Sequence, residues 1–150
     1  MKNITFKYDE YLSKYPNCPD VNCQTVNTLA YRWLHEGIHE DNFKPALLIN
    51  PNRTFETDAL NCMAYSLSMF DSEEGAYEKY KKLVERKNNL KNKLGTLIGE
   101  IELAEEDGLA SLPEINNFGH FSFFENKKID LSDKIIRFVQ IFNANGTFKR

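Results

Sequence analysis

The chain predicts an α+β fold, a single domain over residues 1–150 in which a small, mostly antiparallel sheet packs against two or three helices. Three observations lead there. Stretches with apolar residues three and four apart occur beside stretches of strict alternation, so helices and strands are both expected. They follow one another in mixed order, with no internal repeat and no low-complexity linker. With 41% hydrophobic and 27% charged residues, 11 Phe and 7 Tyr, the chain can bury one core and is far from a disordered composition.

Residues 1–24 hold a short alternating stretch, Ile4 to Tyr8, then a turn-rich segment around Tyr15-Pro16-Asn17-Cys18-Pro19-Asp20 that reads as irregular. Thr25 can cap a first helix, because Val26, Leu29, Ala30, Trp33, Leu34 and Ile38 then fall on one helical face. That helix should stop before Pro45, and Ala46-Leu47-Leu48-Ile49 then suits a short strand. From Cys62 to Phe70 the chain alternates, with Met63, Tyr65, Leu67 and Met69 on one side, which predicts another strand. Asp71 and Ser72 can cap a long helix carrying Ala76, Tyr80, Leu83, Val84, Leu90 and Leu94, with Glu73 and Glu74 in its electropositive first turn. Strands are expected at Leu97–Leu103 and Gly119–Phe124, paired with each other, around a turn at Glu106-Asp107-Gly108. In the last segment Ser132 can cap a helix with Ile135, Ile136, Val139 and Phe142 inward, whereas the β-branched content and Asn145-Gly146 suit a hairpin; the helix is the expectation.

A net charge of -3 and a pI near 5.7 create no overall field that draws the protein to nucleic acid or an anionic membrane. No stretch approaches membrane-spanning length, and the polar N-terminus, Met1 to Lys7, carries no signal-peptide run. Cys18, Cys23 and Cys62 are therefore expected as reduced thiols in a cytoplasmic protein.

His35-Glu36-Gly37-Ile38-His39 has the form His-Glu-x-x-His, which on a helix sets two imidazoles one turn apart within reach of one metal ion. It resembles the active-site helix of the zincin group of zinc-dependent peptidases. That resemblance implies zinc held by His35 and His39, with Glu36 as general base on a metal-bound water. His120 is the best third ligand, next to the permissive Gly119, with Glu56 and Asp58 behind it. Gly37, the early Pro45 and the lack of a further ligand motif depart from the zincin pattern, and two solvated histidines on a surface helix satisfy the same spacing.

Cys62 beside His120 would offer a thiol nucleophile, against the commoner role of core filling, and Cys18 and Cys23 lack the second pair of a structural zinc site. Tyr31-Arg32, the Ser66-Leu67-Ser68 strand and a late Glu or His are similar, in residue order, to ADP-ribosyltransferase-like folds, which implies an NAD-handling site. The lysine-rich helix 79–93, with Lys79, Lys81, Lys82, Arg86, Lys87, Lys91 and Lys93, is a candidate face for a protein, acidic or phosphate partner. It has no interleaved aromatics to stack on bases. Because each catalytic constellation is incomplete, a non-catalytic binding or interaction domain is favoured, with a metal-dependent hydrolase and an NAD-handling domain as alternatives.

Overall fold

The computed structural model describes residues 4–150, so Met1, Lys2 and Asn3 of the polar N-terminus lie outside the described residues. Strands β1 (Thr28–Leu34), β2 (Leu67–Phe70), β3 (Leu97–Leu103), β4 (Gly108–Ala110), β5 (His120–Glu125) and β6 (Ile135–Gln140) build one sheet. Its order is β4-β5-β2-β1-β3-β6, and each neighbouring pair is antiparallel. Helices α1 (Asp9–Leu12), α2 (Ala46–Ile49), α3 (Asp58–Met63), α4 (Glu73–Arg86) and α5 (Lys91–Leu94) occupy the connections. The α+β class is therefore the fold found.

One sheet face carries Tyr31, Trp33, Phe70 and Ile98 and is covered by Ala76, Tyr77, Tyr80 and Val84 of α4. The other gathers Ala30, Met69, Ile101, Leu103, Phe121 and Phe123, closed by Leu131 and by the half-buried Phe43 and Ile129. Leu12, Cys62 and Phe124 form a third cluster that holds the N-terminal segment. Among the described residues no helix is long and apolar enough to cross a membrane.

The expected first helix is instead β1, paired without a break to β3 from Thr28 opposite Leu103 to Leu34 opposite Leu97. Its alternate residues are divided between the faces, Ala30 and Leu34 to one and Tyr31 and Trp33 to the other. A central strand buried on both sides loses its polar alternation, and what remains imitates helical spacing. Ala46–Ile49 is a helical turn rather than a strand, with Pro45 at its N-cap, because proline starts a helix as readily as it stops one. The strand expected from Cys62 begins only at Leu67. Thr57 caps α3 ahead of it, its Oγ1 accepting from Leu60 N–H at 3.1 Å.

Ser72 caps α4 as expected, accepting from Gly75 N–H at 2.9 Å. The helix ends at Arg86, where Lys87 turns extended at φ -148°, so residues 79–93 do not form one continuous lysine face. The strands at 97–103 and 120–125 are present but do not pair with each other. β1 and β2 lie between them. The C-terminal segment is β6 rather than a helix. Asp130, not Ser132, caps the short turn before it, and Asn145-Gly146 closes a hairpin bridge between Phe142 and Phe148.

Cys18 and Cys62 form a disulfide across 44 residues, which overturns the expectation of reduced thiols for that pair. Cys62 lies on α3 at 4% exposure and is no free nucleophile beside His120. Cys23 keeps a half-buried thiol, whose pKa burial pushes up. Disulfides persist in oxidising compartments, so the cysteines no longer support a cytoplasmic location.

Candidate functional site

β1 and β2 share a single register pair, Tyr31 opposite Phe70. Beyond it the strands diverge, and the ladder that would have continued from Arg32 to Leu34 opens into a fork. A cavity of about 380 Å³ fills this fork, lined by Arg32, Trp33 and His35 on one side and Ser66, Ser68, His120 and Ser122 on the other. Lys93 of α5 and Lys44 add positive charge, with Asp41 as the acidic member. α2 and α3 wall it with Ile49, Leu60 and Met63, which remain 47%, 50% and 39% exposed. Cationic groups beside uncovered apolar side chains suit a ligand with both an anionic and a flat apolar part.

Arg32 replaces the missing ladder. Its Nε donates to the Asn42 carbonyl at 2.7 Å and its Nη1 to the Ser68 carbonyl at 2.8 Å. A carbonyl that strand pairing would have satisfied is met by a side chain, and the guanidinium is fixed at the cavity wall. Burial lowers its pKa to about 10, opposed by the charges of Glu125 and Tyr8, so it stays cationic at neutral pH.

Asn42 shapes the loop after β1. Its Oδ1 accepts from His35 N–H at 2.7 Å, and its Nδ2 donates to the His35 and Gly37 carbonyls at 3.2 and 3.4 Å. Gly37 takes φ +71°, so His35 to His39 is a loop and not a helical turn. The two imidazoles stack at 4.0 Å with planes 19° apart, and His39 Nδ1 accepts from Asp41 N–H at 3.1 Å. Imidazole lone pairs lie in the ring plane, so in stacked rings they run side by side instead of converging on one ion.

On β5, His120 stands opposite Phe70 and Ser122 opposite Ser68, so the four share one sheet face, and Ser68, His120 and Ser122 line the fork. His120 Nε2 lies 3.0 Å from Ser68 Oγ and its Nδ1 2.8 Å from Glu114 Oε1. Glu114 is brought there by a backbone bridge, its N–H donating to the His120 carbonyl at 2.8 Å while Gly119 N–H donates to the Glu114 carbonyl at 2.9 Å. Gly119 at φ +80° allows this tight return, and a Cβ there would meet Asp71 Oδ1 at 1.8 Å. A carboxylate on one ring nitrogen and a hydroxyl on the other is an arrangement that can accept a proton from that hydroxyl.

No family model, curated protein or solved structure matches the chain.

The structure brings His35 and His120 to the same cavity, stacks His39 on His35, and leaves Glu36 exposed beside a separate groove. Glu56 and Asp58 are exposed, and among the described residues no group of three or more His, Cys, Asp and Glu side chains is placed to hold a metal ion. The donor set does not fit the zinc centre implied by the zincin resemblance. Of the set named from residue order alone, Arg32, Ser66 and Ser68 do line one cavity, whereas Tyr31 packs against the α4-side core. Glu114, Asn42 and Lys44 are the participants that sequence reasoning missed, while Lys93, expected on the lysine-rich face, lines the cavity. Glu114 sits six residues from His120, and only the turn geometry at Phe118 and Gly119, both at positive φ, reveals the pair.

Proposed function

We propose that the fork between β1 and β2 binds NAD or a related adenosine diphosphate ligand and that the protein is an ADP-ribosyltransferase-like NAD-handling domain. One observation carries this reading: Arg32 of β1, Ser68 of β2 and His120 of β5 surround a single cavity. Arg32, Lys44 and Lys93 supply the positive charge that a pyrophosphate needs. Trp33 and the exposed Ile49, Leu60 and Met63 supply apolar surface for a ring. The juxtaposition of Ser68, His120 and Glu114 favours chemistry over the non-catalytic binding role expected from sequence.

Calorimetric titration with NAD, ADP-ribose and nicotinamide tests it. Binding of NAD and ADP-ribose, weakened about tenfold or more in Lys93→Ala and abolished in Arg32→Ala, is the expected result. Lys93→Ala keeps the test open if loss of Arg32 disrupts the fork itself. Absence of heat with every ligand, at protein concentrations that detect millimolar affinity, would sink the reading.

A further inference from the structure

Resting on the NAD reading of the same cavity, we propose that Glu114, His120 and Ser68 form a proton-accepting chain that activates an oxygen nucleophile, water or an acceptor hydroxyl, against the ribosyl carbon of NAD. Both ring nitrogens of His120 are engaged, one by the Glu114 carboxylate at 2.8 Å and the other by the Ser68 hydroxyl at 3.0 Å. The imidazole is largely covered, with its side chain 18% exposed, whereas Ser68 is exposed to the cavity. The basicity of the chain is therefore delivered at Ser68 Oγ.

The attacking oxygen forms a bond to the ribosyl carbon while the bond from that carbon to the nicotinamide nitrogen breaks, and its electron pair neutralises the pyridinium. The attacking O–H passes its proton to Ser68 Oγ, and Ser68 passes its own to His120 Nε2, from which it returns to solvent. Glu114 touches no substrate. It is a positioning residue that holds the proton of the neutral ring on Nδ1 and leaves Nε2 as acceptor, and it stabilises the imidazolium that forms. Phe70 sets the ring plane by edge-to-face contact at 5.6 Å. The other titratable groups lining this cavity are Arg32, Lys44, Lys93, Asp41 and His35.

The experiment measures nicotinamide release from NAD across pH for the wild-type protein and for His120→Gln, Glu114→Gln and Ser68→Ala, with NAD affinity measured in parallel. In His120→Gln, kcat should fall about 100-fold or more, with NAD affinity within about threefold, and the acid limb of the pH profile should vanish. Glu114→Gln should lower kcat with NAD affinity unchanged, and Glu114→Asp should restore part of the loss, a split that a purely structural role would not produce. Ser68→Ala should slow turnover and retain the limb, which keeps the test decisive if His120→Gln fails to fold. Turnover with the wild-type pH profile in all three variants would overturn the chain while leaving the NAD reading intact. So would NAD binding to the wild type without nicotinamide release. No NAD binding to the wild type would remove both.

Discussion

Asn42 holds its loop through three side-chain hydrogen bonds while its own carbonyl anchors Arg32, all at 9% exposure. Asn42→Ala keeps the carbonyl and strands three backbone partners in a half-buried place, so it should cost about 2–3 kcal/mol by urea unfolding. His35, supported by the same residue, has its pKa lowered by burial and then by the charge of His39. The unfolded chain therefore takes up its proton first as the pH falls. Stability from this group is complete above about pH 6.5, the ordinary imidazole value, and is lost as the pH drops through the lowered folded value. Unfolding midpoints between about pH 7.5 and 5 should fall for the wild type and fall less steeply for His35→Gln. At this scale His35, His39 and His120 were visible as candidates, but their grouping was not. Five residues of motif cannot reveal that Gly37 turns the chain out of a helix.

Among the elements, α4 most closely follows its local chemistry. Ser72→Ala should destabilise by about 1 kcal/mol through loss of the cap to Gly75 N–H. Gly75 is the more informative position. Glycine within a helix ordinarily costs about 1 kcal/mol against alanine, so Gly75→Ala would be expected to stabilise. Here an added Cβ would meet the Phe118 carbonyl at 2.1 Å, in the turn that leads to His120. The substitution should therefore lower the melting temperature and, under the NAD reading, weaken turnover. The same contrast explains what could be read from the chain. α4 and β3 follow local capping and alternation and are legible. β1 is buried on both faces and β6 mixes β-branched residues with helical spacing; which period wins is decided by strands far away in sequence. The pairing that sets Ser68 beside His120 joins residues 52 apart and leaves no local trace.

For the whole molecule, the Cys18–Cys62 bond ties the N-terminal segment to α3, one wall of the cavity. Closing a loop across 44 residues constrains the unfolded chain by about 4 kcal/mol in the chain-entropy picture. Reduction should shift the urea midpoint accordingly, and the Cys18→Ser, Cys62→Ser double variant should match the reduced wild type, whereas Cys23→Ser should stay near the oxidised protein. A double variant as stable as the oxidised wild type would show that this link contributes no net stability.

The fork has a consequence for motion as well as for binding. With one register pair between β1 and β2, the backbone ladder falls into two three-stranded leaves, β4-β5-β2 and β1-β3-β6, stitched only at Tyr31 and Phe70 but joined by both cores and by Arg32 on the Ser68 carbonyl. Cores shared by both leaves oppose their separate opening, so amide hydrogen exchange should be fastest at the fork, where the backbone ladder is missing. A ligand spanning Arg32 and His120 would act as a second stitch, slowing exchange on both leaves together.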